Sequence, residues 1–149
     1  MAAAESTALL RSIVVPVDGS PASLQAVAVA ADIARKNKGR VYVVHVIEVK
    51  RTLALDAPLD IEEAGGDEVL ARAEEVARKQ GYQVEGEILH AREAGPAIVD
   101  EAVERAADLI VIGVGHQHPF GEFQLPRLAQ AILKGAPCQV WVCRDAVRE

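Results

Sequence analysis

The chain has 149 residues, half of them hydrophobic but only 3% aromatic, and a formal net charge of −6. This length suits one domain with a full core of Ala, Val, Leu and Ile. Because Lys and Arg are scattered, the sequence lacks the basic footprint of a nucleic-acid-binding or membrane-surface protein. No stretch approaches the length of a membrane span.

Residues 1–10 have neither a basic start nor a long apolar run, so we expect a flexible tail rather than a signal peptide. Residues 11–149 are predicted to form a single domain. The two cysteines, Cys138 and Cys143, are too few for a disulfide framework, and their spacing of five places them on opposite faces of a strand. We therefore expect reduced thiols and a cytoplasmic protein.

The first predicted strand, from Ser12 to Val17, is dense in Val and Ile and does not alternate with polar residues. Such a run is typical of a strand that is buried on both faces in a parallel sheet. After the turn at Asp18, Ser20 and the following Pro begin a helix, because Ser is a preferred N-cap and Pro suits the first helical position. Gly39 is predicted to end this helix.

The second strand, Val41 to Ile47, is again nearly all apolar. Its His45 is predicted to be a packed strand histidine rather than a ligand. Residues 48–60 form a loop that is long enough to fold over a crevice. A helix from about Ile61 to Gln80 follows, and Gly81 ends it.

The remaining elements follow in the same β–α order. Residues 82–90 alternate, which indicates a half-exposed strand at a sheet edge. Next come a helix that begins at Gly95-Pro96, a strand over 109–113, a loop over 114–125, a helix over 126–134 and a last strand over 140–143. The buried face of the helix after Gly95 is predicted to comprise Ile98, Val99, Ala102, Val103 and Ala106.

This order predicts a three-layer α/β sandwich, with a five-stranded parallel sheet and helices on both faces. Ligands of open α/β sheets bind beyond the carboxyl ends of the strands, where the winding direction reverses. If the first and fourth strands are neighbours, Asp18 and Gly113 border one crevice.

From Ile13 to Arg144 the chain resembles the universal stress protein family. The resemblance is carried by the runs from Ile13 to Ser20, Val43 to Val46, Asp108 to Gly113 and Ala136 to Val142. It implies a Rossmann-like domain of the adenine nucleotide alpha hydrolase-like type with strand order 3-2-1-4-5. It also implies a homodimer paired through the last strands. One subgroup of the family binds ATP and another does not.

The ATP-binding members carry Gly-x2-Gly-x9-Gly-Ser/Thr after the fourth strand. Here the four positions hold Gly113, His116, Pro126 and Arg127, and only the first is kept. Gly115 restores a glycine only if the loop is re-registered, and the same holds for Gly121. The positions that contact adenine in the family are better kept. Asp18 matches the family's acidic residue after the first strand, and Val46 matches its valine near the end of the second strand. Pro16 and Val17 lie beside Asp18.

These departures have physical consequences for a phosphate. Glycines let a backbone approach phosphate oxygens and aim several N–H groups at them. His116 is bulky, and Pro126 has no N–H, so both argue against a triphosphate pose. Arg127 opposes the helix dipole and would be balanced by an anion, either Glu122 or a ligand phosphate.

Other roles for these polar residues stay open. Asp18 either contacts a ribose or base, or simply accepts N–H bonds in its turn. His116 and His118 lack a clear set of further ligands, so we expect no metal site. Neither histidine has an evident nucleophile partner for hydrolysis. Phe120 and Phe123 are predicted to cover the crevice.

The last strand is the predicted dimer surface. Trp141 lies beside Cys143 on one face, with Val140 and Val142 on the other. If this strand is an edge, its free backbone groups would pair with a second copy. In the alternative, Trp141 packs under a helix of its own subunit.

Three functions follow as hypotheses. The first is a non-catalytic, homodimeric stress-response protein with weak or absent ATP binding. The second is a regulatory module that binds an adenine nucleotide, such as AMP, in an altered pose with Asp18, Val46 and Arg127. The third is a small α/β enzyme with His116 or His118 as its base.

Overall fold

The computed structural model describes residues 10–116 and 123–146. The predictions for tail residues 1–9 and for His118, Phe120, Gly121 and Glu122 lie outside these residues. The strands are β1 (Ser12–Pro16), β2 (Arg40–Glu48), β3 (Glu85–Ala91), β4 (Leu109–Val114) and β5 (Gln139–Arg144). The helices are α1 (Pro21–Asn37), α2 (Asp60–Lys79), α3 (Ala94–Glu104) and α4 (Arg127–Gly135).

The five strands form one parallel sheet in the order β3-β2-β1-β4-β5, which confirms the predicted fold and strand order. Ile13 of β1 pairs with Val41 of β2 on one side and with Leu109 of β4 on the other. The first and fourth strands are therefore neighbours. Their carboxyl ends meet at the point where the winding direction reverses.

The core lies in two layers, one on each face of the sheet. Residues of α1 and α2 pack on one face, and residues of α3 and α4 pack on the other. Cys143 belongs to the first layer and Cys138 to the second, so the two thiols face opposite sides of the sheet as predicted. No helix in the described ranges is long and apolar enough to cross a membrane.

Helix α1 begins as predicted but ends differently. Its N-cap Ser20 accepts a hydrogen bond from the Ser23 N–H at 3.2 Å. At the other end Lys38, not Gly39, takes the left-handed conformation, with φ of 57°. Gly39 is needed for a different reason, because a Cβ there would lie 2.3 Å from the Arg11 carbonyl oxygen.

Strand β3 is an edge strand, as the alternation predicted, but it begins at Glu85 rather than at residue 82. The Tyr82 hydroxyl donates to the Gly39 carbonyl oxygen across the end of the sheet. That contact ties Tyr82 to the turn before β2, outside the ladder. Leu10, the last residue of the predicted tail, is buried in the core.

The predicted buried face of α3 was wrong at its end. Val103 is 61% exposed, and Ala106 lies beyond the helix with φ of 49°. Glu101 is buried instead, at 4% exposure. Its carboxylate accepts a hydrogen bond from Arg105 Nε at 2.9 Å, which supplies the charge partner that a buried carboxylate needs.

Candidate functional site

A small, mostly apolar cavity of about 100 Å³ lies beyond the carboxyl ends of β1, β2 and β4. Five of the predicted site residues line it together, namely Pro16, Val17, Asp18, Val46 and Gly113. Helix α3 adds Ile98 and helix α4 adds Leu128. Topology brings these distant segments together because parallel strands end at the same edge of the sheet.

Asp18 supplies the carboxylate of the cavity. Its Oδ1 accepts a hydrogen bond from the Ser20 N–H at 2.9 Å, so the turn-forming role exists. Burial alone would raise the pKa of Asp18, but hydrogen bonds from Ser20 and Ser23 outweigh burial and lower it. The group is therefore ionised at neutral pH.

His45 also lines the cavity, which sequence reasoning missed. Its Nδ1 lies 2.9 Å from the Val17 carbonyl oxygen, and because that oxygen can only accept, Nδ1 carries the proton. Gly66 of α2 lies against the ring, so a Cβ there would come within 2.9 Å of His45 Cδ2. His45 is packed, as predicted, and it fixes the end of β1 that borders the cavity.

A larger, open groove of about 620 Å³ adjoins the cavity. The two spaces share Val46, Ala94 and Leu128 as walls and are therefore adjacent. Arg127, the first residue of α4, lines the groove, while the cavity itself is free of cationic residues among the described part of the chain. The Arg127 side chain is exposed.

Two other charged residues of the groove have structural partners. Glu48 accepts a hydrogen bond from the Ala94 N–H at 2.9 Å and so occupies the start of α3. Arg92 Nη1 donates to three carbonyl oxygens in the loop after β2. They belong to Val49, Lys50 and Leu53, at 3.4, 2.5 and 2.8 Å. The loop is thus tied beside the groove.

Gly115 and His116 do not line the cavity. Gly115 is exposed, and a Cβ built there meets nothing within 4 Å. The His116 N–H donates to Asp145 Oδ1 at 2.6 Å, and His116 Nδ1 lies 2.7 Å from the same oxygen. Sequence reasoning missed Asp145 as a partner. The signal for this contact is the register of β4 and β5, because the pairing of Val114 with Arg144 brings the residues that follow each strand close together.

The start of α4 lacks a capping side chain. Pro126 is the N-cap, with φ of −58° and ψ of 155°, and no side chain caps the helix. Because Pro has no N–H, this turn offers fewer donors to an anion than a glycine would. Among the residues described, no group of three or more His, Cys, Asp or Glu side chains is arranged to hold a metal ion.

The second predicted surface is the free side of β5. Within the described sheet β5 pairs only with β4, so its other edge carries unpaired backbone groups. Trp141 is 37% exposed, and its Nε1 donates to Gln139 Oε1 at 3.0 Å. Val140, Val142 and Cys143 are partly buried on the two faces of the strand.

Comparison with known proteins decides the family. A model described as the universal stress protein family matches residues 10–144. The chain belongs to the universal stress protein family. A universal stress protein of Methanocaldococcus jannaschii is 30% identical over 147 residues, which cover 95% of this chain and 86% of that relative.

Solved universal stress proteins share the fold. One from Archaeoglobus fulgidus is 31% identical, with a TM-score of 0.74 over 89% of this chain and 97% of its own. A second structure from Archaeoglobus fulgidus is a complex with dAMP. It is 28% identical, with a TM-score of 0.72 over 90% of this chain and 98% of its own.

Proposed function

We propose that this universal stress protein is a non-catalytic regulatory module that binds an adenine nucleoside or its monophosphate and acts as a homodimer in a stress response. The base would lie in the cavity between Val17, Asp18, Val46 and Gly113. The observation that carries the proposal is the apolar cavity with one ionised carboxylate at the reversal point of the sheet.

The size of the cavity favours a ring system alone. Its volume of about 100 Å³ is well below the roughly 300–1,000 Å³ of a site that encloses a whole drug-sized ligand. The ribose and phosphate would therefore extend into the adjoining groove toward Arg127. The complex of the Archaeoglobus fulgidus relative with dAMP supports a nucleoside monophosphate as the ligand type.

The phosphate side favours short ligands over ATP. A triphosphate site needs several convergent N–H donors. Here the His116 N–H is taken by Asp145, and Pro126 has none to give. Arg127 supplies one guanidinium, which suits one phosphate better than three. We therefore expect ATP to bind no more tightly than AMP.

Dimerisation through β5 is supported by a contrast between the two sheet edges. The β3 edge carries Glu85 and Glu87, so pairing two copies there would bring like charges together. The β5 edge carries Val140, Trp141 and Val142 and has no acidic residue between Gln139 and Arg144. A two-fold pairing through β5 would cover the exposed part of Trp141.

The free thiols of Cys138 and Cys143 are in keeping with a reducing compartment, and we propose that the protein acts in the cytoplasm.

We expect the bound nucleotide to be returned unchanged. His116 is held by Asp145, but no serine, threonine or cysteine hydrogen-bonds to it within the described residues.

Equilibrium dialysis with labelled adenosine, AMP and ATP tests the proposal, with phosphate release assayed in the same samples. Val46→Phe would fill the space shared by the cavity and the groove, and we expect AMP affinity to fall at least about tenfold. Val103→Phe, on an exposed part of α3, is the matched control and should bind as the wild type does.

The result that contradicts binding is the absence of any adenine ligand at millimolar concentration, or equal AMP affinity in the wild type and Val46→Phe. Circular dichroism confirms that each variant is folded. Steady phosphate release that is lost in His116→Gln would contradict the non-catalytic part of the proposal.

A further inference from the structure

The outer edge of β3 has no partner strand in the part of the chain that the structure describes. The strand pairs with β2 at seven consecutive positions, from Tyr42 with Glu85 to Glu48 with Ala91, so its backbone is regular and has no bulge. An edge strand of this kind presents a row of unpaired N–H and C=O groups on its outer side. Among the described residues, no turn or loop backbone group bonds to residues 85–90.

The usual protections of an edge strand are mostly missing from β3. Natural edges are kept very short, or carry Lys, Pro or a bulge. The segment Glu85–Ala91 is seven residues long and contains neither Lys nor Pro. Its acidic residues are Glu85 and Glu87. Their charge repels a second acidic strand but attracts a strand that carries positive charge.

The two faces of this edge differ in chemistry. Glu87 points to the side of α3, because its Oε2 accepts a hydrogen bond from Arg105 Nη2 at 3.2 Å. Ile88 points to the other side and packs in the layer of α1 and α2. On that side Leu70 of α2 lies over Gly86, since a Cβ on Gly86 would be 3.4 Å from both Leu70 methyl carbons. An added strand would therefore meet carboxylates on one face and apolar side chains on the other.

An open groove of about 540 Å³ between β3 and α3 extends the acidic face. Three of its carboxyl groups have no ion pair within the described ranges, namely those of Glu93, Asp100 and Glu104. Two more, those of Glu87 and Glu101, share the guanidinium of Arg105. Arg51 and Arg92 also line the groove, but Arg92 is bonded to carbonyl oxygens of the loop after β2. The groove therefore favours cationic side chains.

We propose that the outer edge of β3 is a docking site for a partner protein, which adds an extended segment with Lys or Arg at every second position as a sixth strand. Main-chain hydrogen bonds to residues 85–90 supply affinity, and alternate side chains supply specificity. The cationic side chains face Glu85, Glu87 and the groove, while the apolar ones cover Ile88. The groove shares no lining residue with the cavity, so this inference does not depend on the proposed function.

Charge favours a basic partner over a second copy of this chain. Two β3 edges would place glutamates opposite glutamates, which is destabilising. The segment Gln139–Arg144 of β5 offers only Arg144 as a basic residue, so it lacks the alternation that the acidic face requires. The net charge of −6 repels a further copy and attracts a cationic segment.

Fluorescence anisotropy with labelled peptides tests the site. The probe Lys-Val-Lys-Val-Lys-Val-Lys, with blocked ends, alternates in either chain direction and so suits parallel or antiparallel pairing. We expect a Kd of about 100 µM or lower at low ionic strength. The control peptide Lys-Lys-Val-Val-Val-Lys-Lys has the same composition and charge without the alternation, and it should bind at least about tenfold more weakly.

Hydrogen exchange measured by mass spectrometry reports on the backbone. When the alternating peptide binds, exchange over residues 85–91 should slow because the outward N–H groups gain partners. Exchange over residues 139–144 of β5, the other sheet edge, should not change.

Charge reversals test the contacts of the acidic face. Glu85→Lys on the edge and Asp100→Lys in the groove should each weaken binding of the alternating peptide at least about fivefold, because repulsion replaces attraction. Glu68→Lys is the matched control, since Glu68 is an exposed residue of α2 outside the groove. It makes the same change in net charge and should bind as the wild type does. Circular dichroism confirms that each variant is folded.

Four outcomes would overturn the proposal. Equal binding of the two peptides, or an equal loss in Glu68→Lys and Glu85→Lys, would show that net charge alone causes binding. Absence of binding at millimolar peptide would remove the site. Slower exchange over 139–144 instead of 85–91 would place the peptide on β5. Slower exchange over 85–91 in concentrated protein without peptide would identify a second copy as the occupant.

Discussion

Gly113 of β4 lies directly against Ala22 in the first turn of α1, so that a Cβ on Gly113 would be 1.9 Å from the Ala22 carbonyl oxygen. The same Cβ would be 2.8 Å from the Ser23 nitrogen. Packing alone therefore requires a glycine here. Gly113, the one glycine kept from the family's phosphate motif, therefore allows α1 to pack closely against the sheet and also lines the cavity.

Gly113→Ala should destabilise the protein strongly, because the contact is with backbone atoms that cannot move aside without shifting α1. We expect a loss of about 2–4 kcal/mol in the free energy of unfolding, measured by urea denaturation. Gly115→Ala is the control, since its Cβ would meet nothing within 4 Å, and it should change the free energy by less than about 0.5 kcal/mol. Equal stability of the two variants would contradict this account.

The parallel α/β sheet could be predicted from the sequence because buried parallel strands are apolar runs, whereas the order of the strands came from the family resemblance. The ends of the predicted strands placed Asp18 and Gly113 at one edge of the sheet, and the resemblance added Val46. These predictions needed only local patterns, the rules of α/β topology and the family resemblance.

The errors share a different origin, which is contact between distant segments. The periodicity of α3 could not show that Glu101 is buried, because its burial depends on Arg105 and on Glu87 of β3. His116 and Asp145 are 29 residues apart, and only the register between β4 and β5 brings them together. Such pairs are set by tertiary packing, which overrides local preference.

The loop after β2 should open when Arg92 is removed. One guanidinium nitrogen holds the carbonyl oxygens of Val49, Lys50 and Leu53, and no other described side chain makes these bonds. In Arg92→Ala we expect faster tryptic cleavage after Lys50 and Arg51, because a protease needs a locally unfolded segment.

Mass spectrometry of the early fragments identifies the cleaved bonds. Arg78→Ala is the control, because Arg78 is a surface residue of α2 that pairs only with Glu75 among the described residues. Cleavage after Lys50 should be as slow in this variant as in the wild type. Faster cleavage in both variants would indicate general destabilisation and contradict a specific role for Arg92.

The paired carboxyl groups of Glu87 and Glu101 should make stability depend on pH. A hydrogen bond with Glu101 raises the pKa of Glu87 above its ordinary value of 4.5. Arg105 lies between the two carboxylates and stacks 4.4 Å from the centre of the Tyr42 ring. A raised pKa means that the contribution is complete below pH 4.5 and is lost as the pH rises through the folded-state pKa.

Glu87→Gln keeps a hydrogen-bond donor toward Glu101 but removes the titration. We therefore expect the unfolding free energy of this variant, relative to the wild type, to increase as the pH rises above 4.5. Glu85→Gln, two residues earlier on β3 and exposed, should show no such trend. Urea denaturation over this pH range checks the prediction. A difference that is constant with pH, or that decreases, would show that the two carboxyl groups do not share a proton.

The edge of β5 should control the oligomeric state. Trp141 is the largest exposed side chain on this strand, and a charge in its place would put an ion into the proposed dimer interface, where burying it is costly. In Trp141→Glu we expect the dimer to dissociate at micromolar concentration, with a mass near the 15.9 kDa of one chain by size-exclusion chromatography with light scattering.

Leu55→Glu is the matched control, because Leu55 is 47% exposed but lies in the loop after β2 rather than on β5. This variant should remain dimeric, and circular dichroism should show that both variants keep the wild-type fold. Because Trp141 hydrogen-bonds only to Gln139 within the described chain, its replacement should cost the monomer little stability. A wild-type protein that is itself monomeric, or a Trp141→Glu variant that stays dimeric, would place any self-association on another surface.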